Sequence, residues 1–395
     1  MLAYQVRPFD VIYFRGNKSF DFGEWYSGGV FPPYPSTFQG FVRTLILKKA
    51  GHIQANGKLF DPEKSKELVG DDTKLTFDIT GPFLLDFSKS FHLKIPLDIA
   101  KIGVKDGQIE GKQISLSSRS FISDLQFNLL SAVFSRKPDY AAFHASLCSF
   151  DELNNYRRTG TIQINQSNPS NEEPHVGICL KRTKDRKNTF KLAEDGLFYL
   201  TPYHRLKSNI RFYFQINGND SVLEHNLEDE YGKLGSESRG AVVERCDKPL
   251  NLKLSDEFYS DLVKQKRFKL VLVQPGLFHN GWLPFTVLEK NRDGYLVLDY
   301  KGLKIKLLYA RTGEIQKISG MSMRKQVNNS QKQKNYGLKP MLSAVPAGAV
   351  YYFEILDLES MEDTVRILKE LDGSKIENLP YSSMGFNQVV LGKII

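Results

Sequence analysis

Apolar residues come mostly in short alternating runs, and in a few places at the three-and-four spacing of a helix face. Leu2–Phe14 puts Val11, Ile12, Tyr13 and Phe14 just before Gly16 and Asn17, which predicts a strand closed by a turn. An aromatic, glycine-rich stretch leads through Phe20 and Trp25 to Phe31-Pro32-Pro33-Tyr34-Pro35, where the prolines forbid helix until the last is passed. Phe41, Val42, Leu45 and Ile46 then mark one face of a helix that stops near Gly51, with Ser36 or Thr37 as its cap. Leu75–Ile79 and Phe83–Phe87 read as two strands, and the Asn- and Ser-rich stretch 151–173 as a mobile loop. Val176–Leu180 and Leu197–Leu200 predict a hairpin around a basic tip. Phe212, Phe214 and Ile216 alternate as in a half-buried strand, Val222–Tyr231 reads as helix, and Gly240–Val243 as another strand.

That order of strand, helix, two strands, helix and strand is the ferredoxin-like unit, with the early hairpins as insertions. The order restarts after Pro249, with strands at Arg267–Val273, Ile305–Tyr309 and Ala349–Ile355, an amphipathic helix at Met361–Leu371 and a last strand at Gln388–Leu391. No counterpart of the first helix stands out in this second half. The expected fold is α+β: tandem ferredoxin-like (RRM-like) domains with long hairpin and loop insertions, an N-terminal domain over 1–249 and a C-terminal one over 250–395.

Composition narrows the partners. The 395 residues suit two or three domains at ~150 residues each, and 41% hydrophobic with 25% charged residues describes a chain that folds into ordinary cores. Lys and Arg number 54 against 45 for Asp and Glu, and the resulting +9 favours a polyanionic partner. No apolar run approaches the ~20 residues of a spanning helix. The first ten residues lack the charged-then-apolar order of a secretory signal, so the expected location is cytoplasmic and no membrane partner is implied. Cys148, Cys179 and Cys246 are isolated, which makes neither a disulfide framework nor a zinc site.

The sharpest local feature is the proline approach to Ser36 and Thr37. It delivers them to a helix start whose free N–H groups and dipole can hold a phosphate, with Gly40 permitting close approach and Arg43 supplying a full charge. A plain cap at Ser36 is an equally good reading. Lys181, Arg182, Lys184, Arg186 and Lys187 on the hairpin could clamp a sugar-phosphate backbone. A second basic stretch holds Arg324 and Lys325 in a Gln- and Asn-rich segment with Tyr336; from Ile315 to Phe353 no acidic residue occurs. Amides, an aromatic and cations together suit single-stranded nucleic acid. Glycines at Gly232, Gly235 and Gly240 and again at Gly385 and Gly392 have neither P-loop nor dinucleotide-fingerprint spacing. Scattered histidines, with no HExxH and no Ser-His-Asp pattern, give no catalytic constellation, no metal site and no cofactor.

Taken together, five stretches resemble the Cmr-family RAMP subunit of type III-B CRISPR effector complexes. They are Asp10–Arg15 with Phe20, Phe31–Arg43, Glu173–Ile178 followed by Glu194–Tyr199, Ser238-Arg239-Gly240 and Ala344–Glu354, spread in order over most of the chain. The resemblance implies tandem RAMP domains and a noncatalytic RNA-binding subunit of an antiviral ribonucleoprotein. Its implied partners are the single-stranded 5′ tag of the CRISPR RNA, the large polymerase-like subunit, the adjacent RAMP backbone subunit and, indirectly, target RNA. Carried onto this sequence, Ser36, Thr37, Gln39, Gly40 and Arg43 look like tag-binding residues, with Arg239, Gly240 and Gly385 as further contacts. Two alternatives remain at this stage: a RAMP endoribonuclease maturing CRISPR RNA through His52 or His204, and a purely structural adaptor.

Overall fold

The computed structural model describes residues 1–16, 28–53, 59, 61–71, 74–117, 125–133, 147–165, 168–185, 188–326, 335–357, 360–377 and 380–395, the backbone alone for 133, 179–185, 188–197, 321–326 and 335–338. The first part of the chain runs β1 (Leu2–Pro8), α1 (Pro35–Lys49), α2 (Pro62–Val69), β2 (Phe77–Asp86), β3 (Phe91–Lys94), β4 (Ile99–Lys105), β5 (Gln108–Gln113), β6 (Ser115–Ser117), β7 (Ser131–Val133), β8 (Leu147–Ser149), α3 (Phe150–Thr159) and β9 (Thr161–Ile164). There follow β10 (Ser170–Asp185), β11 (Asn188–Leu206), β12 (Ile210–Gly218), α4 (Asp220–Leu223), β13 (Tyr231–Lys233) and β14 (Gly240–Arg245). The second part runs α5 (Asp256–Gln265), β15 (Arg267–Leu272), β16 (Thr286–Lys290), β17 (Leu296–Tyr300), β18 (Leu303–Arg311), β19 (Gln316–Ile318), β20 (Met321–Gln326), β21 (Asn335–Leu338), β22 (Leu342–Ala344), β23 (Val350–Ile355), α6 (Met361–Leu371), α7 (Pro380–Ser383) and β24 (Val389–Gly392).

Two antiparallel sheets carry the architecture: a seven-stranded one in the order β13-β14-β1-β12-β2-β3-β8, and a six-stranded one in the order β16-β17-β18-β23-β15-β24. Strand alternation decides what each face buries. Tyr4 and Val6 of β1 and Phe212 and Phe214 of β12 pack under Phe38, Phe41, Val42 and Leu45 of α1. On the opposite face Phe83, Leu85, Phe91 and Tyr213 join Val271, Val350, Tyr352 and Val390 of the second sheet, with Leu153 and Tyr156 of α3 in the same core. The intervening residues Phe268, Leu270, Tyr351 and Phe353 turn outward beneath α5 and α6. The layers therefore run helix, sheet, shared core, sheet, helix, and each fully buried Leu, Val or Phe contributes ~1.5–3 kcal/mol. β4, β5 and β9 form a small sheet, and β10 with β11 a separate two-stranded ribbon, bridged to the segment after β1 at His204.

Several expectations are corrected. The stretch 151–173 is not a loop. Ser149 and Glu152 make a reciprocal capping box, Gly160 closes α3 in the left-handed region, and Leu153 and Tyr156 bury one face, so the caps outweigh the polar composition. The two strands expected over Leu75–Phe87 are one, β2, irregular opposite Tyr213–Gln215. The helix expected over Val222–Tyr231 is the single turn α4; Asp229 has φ +60°, and the chain re-enters the sheet as β13. β1 stops at Pro8, and Val11–Phe14 stay buried as irregular backbone bridged at Ile12 to His204. In the second half α5 does exist, burying Phe258, Tyr259, Leu262 and Val263, but it precedes β15 instead of following it. Among the described residues no helix is long and apolar enough to cross a membrane.

Candidate nucleic-acid interface

α1 begins one residue earlier than its hydroxyls predict. Pro35 is the first helical residue and Tyr34 the N-cap, in extended backbone and with no side-chain cap, so Ser36 and Thr37 lie inside the first turn and do not cap it. The proline's fixed φ starts the helix without help from a hydroxyl. The Thr37 N–H donates to the Tyr34 carbonyl at 3.0 Å. Gln39 is 6% exposed, and its Nε2 finds no partner among the described residues. Gly40 faces solvent, with nothing within 4 Å of where a Cβ would stand. Arg43 is engaged by the protein itself, its Nη2 donating to the Gly70 carbonyl at 2.8 Å.

The residues before α1 form one wall of a cleft of about 220 Å³, with Pro82, Phe83, His92 and Lys94 from the first sheet, Gln274 just beyond β15 of the second and Gln316 from β19. Lys94 has no carboxylate partner among the described residues, and burial pulls its pKa below the usual lysine value. Gln316 Oε1 is buried without a donor among the described residues, whereas Gln274 Nε2 is used up on the Pro82 carbonyl at 2.8 Å. Burial pushes the Tyr34 phenol up to about 12, so it stays a neutral donor. His92 faces the Asp86 carboxylate at 3.3 Å. A cation and amides facing an open space are equipped for an anion with hydrogen-bonding edges.

Gly385 comes to this place from the far end of the sequence. Its φ is +105°, and a Cβ there would meet the Gly81 carbonyl at 2.6 Å and Pro35 at 3.1 Å, so only glycine lets the chain pass this close to the start of α1. Arg239 and Gly240 lie elsewhere, at the β13–β14 edge. The Arg239 guanidinium is 3.2 Å from Glu237, 3.6 Å from Asp10 and stacked over the Tyr203 ring, and Gly240 makes room for the Phe9 ring. Arg205 pairs with the same Asp10 and with Glu173, which makes this a knot of alternating charge. Lys181, Arg182 and Lys184 lie on β10, opposite Leu192, Lys191 and Thr189 of β11; Arg324 and Lys325 lie on β20. Arg186 and Lys187 lie outside the described residues. His204 stacks on Phe31 at 4.3 Å with Nδ1 at Ser170 Oγ, burial holding its pKa below the usual value, and His52 Nδ1 faces Ser65 Oγ. Sequence reasoning missed Lys94, Gln274 and Gln316, which carry no motif and meet only because the two sheets do.

A model of the family described as CRISPR-associated protein (Cas_Cmr3) matches residues 4–394. Among solved structures, a chain of the type III-B Cmr-beta complex bound to cognate target RNA is 14% identical with a TM-score of 0.46, over 98% of this chain and 96% of that one. A chain of the Csm3–Csm4 subcomplex of the type III-A CRISPR-Cas interference complex is 12% identical with a TM-score of 0.37, over 90% and 93%. No curated protein matches the chain in sequence.

Proposed function

The chain belongs to the Cas_Cmr3 family of CRISPR-associated proteins, and from that premise we propose that it is a noncatalytic subunit of a type III-B effector complex that anchors the 5′ tag of the CRISPR RNA. In this reading both sheets are ferredoxin-like RAMP domains, and the tag's end enters the cleft between them. The observation that carries it is Lys94: among the described residues its desolvated ammonium has no counter-ion, and it lines one cleft with the approach to α1 and with Gln316 Oε1, which has no donor there. Phosphate would supply the missing charge, and a base edge would satisfy Gln316. The basic strands β10 and β20 add counter-ion-releasing contacts along the emerging strand. The large subunit and the neighbouring backbone subunit are the proposed protein partners. His204 and His52 are each engaged with neighbouring side chains, in keeping with a binding role.

The test is an anisotropy titration of tag RNA against the subunit assembled with its partners. Lys94→Glu is expected to weaken binding tenfold or more, since a charge-assisted contact contributes ~1.5–3 kcal/mol and the reversed charge repels. Unchanged affinity in a correctly assembled particle removes the cleft from the tag. Specific cleavage of precursor RNA in metal-free buffer, lost on His204→Ala, would replace the binding reading with the nuclease.

A further inference from the structure

Three large aromatic side chains stand exposed at one end of the first sheet: Phe9 at 53%, Phe87 at 63% and Tyr231 at 60%. Strand register gathers them. Tyr231 pairs with Val242 and Val242 with Arg7, while Arg211 pairs with Leu85. Val6 opposite Phe212 sets Arg7 beside Arg211, so one row crosses five strands on the face away from α1. Phe9 and Phe87 each lie two residues beyond that row and on the same face. The Phe9 and Tyr231 rings are 5.9 Å apart, the Arg7 guanidinium lies 5.9 Å from the Phe9 centroid, and that of Arg211 lies 4.9 Å from Phe87. Glu244 is shared by both arginines, at 2.9 Å and 3.9 Å, and Arg211 also donates to the Ser208 and Ile210 carbonyls. Lys248 donates to the Lys89 carbonyl next to Phe87 and adds two cations there.

This composition selects the occupant. An apolar protein surface would strip water from the exposed Arg7 guanidinium, whose partner Glu244 is shared with Arg211, an expensive burial. Single-stranded RNA offers bases to the rings and phosphates to the cations at once, whereas a duplex keeps its base faces stacked inside. We propose that this sheet end is a stacking platform for single-stranded RNA, one base on Phe87 and another on the Phe9–Tyr231 pair, with Arg7, Arg211, Lys89 and Lys248 on the backbone. β1 and β2 flank β12, which sets the two stacking sites about 10 Å apart and so serves two separate bases. β2 also links platform and cleft: Phe83 lines the cleft, and Phe87 is four residues on, about 13 Å along the strand. The strand engaged is therefore the CRISPR RNA beyond its bound end, and for that identity alone the inference rests on the tag-anchoring reading.

The test uses the full chain with labelled oligouridine of about a dozen nucleotides, and a perfect duplex of equal length as control. Phe9→Ala with Phe87→Ala is expected to lose at least tenfold in oligouridine affinity with an unchanged melting temperature, Phe87→Trp to keep it, and the duplex to bind weakly. Unchanged affinity in the double variant, or full affinity in Phe87→Leu, overturns the platform. Loss in the platform variants with Lys94→Glu unaffected keeps the platform and discards the cleft; the reverse pattern discards the platform alone. In the assembled particle, uridine photoadducts at Phe9, Phe87 or Tyr231 are the expected result, and crosslinks from these positions to protein only refute it.

Discussion

Arg157 is wholly buried, and nothing in the local sequence announces it. Its guanidinium donates to Asp372, at 2.6 Å to Oδ1, to the carbonyls of Leu252 and Leu391 and to Asn154 Oδ1. Tyr259 Oη and the Leu391 N–H complete the shell of the Asp372 carboxylate. Removing one partner of such a pair leaves an uncompensated charge and costs ~3–5 kcal/mol, while replacing both by apolar groups is often neutral. Arg157→Met is therefore expected to lower stability by that amount in denaturant titrations of the purified chain, and Arg157→Met combined with Asp372→Leu to recover most of it. Equal losses in the two variants would refute the account. Legibility at this scale was uneven. Gly385 was recognisable from its glycine-rich context, whereas Lys94 and Arg157 look like any surface cation until the fold encloses them.

At the scale of elements, α1 was readable because Phe41, Val42, Leu45 and Ile46 hold a helix period and the prolines mark its start, but its cap was not, since proline at the first position makes a hydroxyl cap dispensable. α3 was hidden by composition: five of its first-turn and last-turn neighbours are polar, yet the reciprocal bonds of Ser149 and Glu152 fix its start. The two glycines near α1 do different work. Gly385→Ala should cost ~1–3 kcal/mol in thermal unfolding, because a Cβ there meets backbone at 2.6 Å in a left-handed conformation. Gly40→Ala meets nothing and sits in a helix, so it should be neutral or stabilising by up to ~1 kcal/mol. A fall in tag affinity for Gly40→Ala without loss of stability would mark that position as one where ligand, not protein, needs the space. A destabilised Gly40→Ala would contradict the open surroundings.

Over the whole molecule the second sheet is tied to the small sheet and α3 of the first half through Lys269. Its ammonium, wholly buried on β15, donates to Gln113 Oε1 at 2.7 Å, lies 3.5 Å from Asp98 and 3.6 Å from the Tyr156 ring centroid, all three from the first half of the chain. Burial pushes its pKa from 10.5 down to about 8, against the pull of Asp98. Between those two values the unfolded chain holds the proton more tightly than the folded one, so stability rises with pH through that window and is fully penalised below about 8. Relative to Lys269→Met, the wild-type denaturation midpoint should climb from pH 8 to pH 10.5, by up to ~3 kcal/mol in stability. Parallel pH profiles for the two proteins would show that Lys269 titrates alike in both states.

The sequence by itself determined the local periods of particular strands such as β12, β15 and β23, where α1 and α6 run, the excess of positive charge, and the motifs whose resemblance led to the family. These are fixed within a few residues of chain, by φ restriction, by alternation and by turn chemistry. Only the tertiary structure decided which cations lose their water. No motif along the chain singles out Lys94, Lys269 and Arg157; they differ from other cations because elements built from residues far apart in sequence close over them, and leave Arg157 with partners, Lys269 with a weak pair and Lys94 at an open cleft.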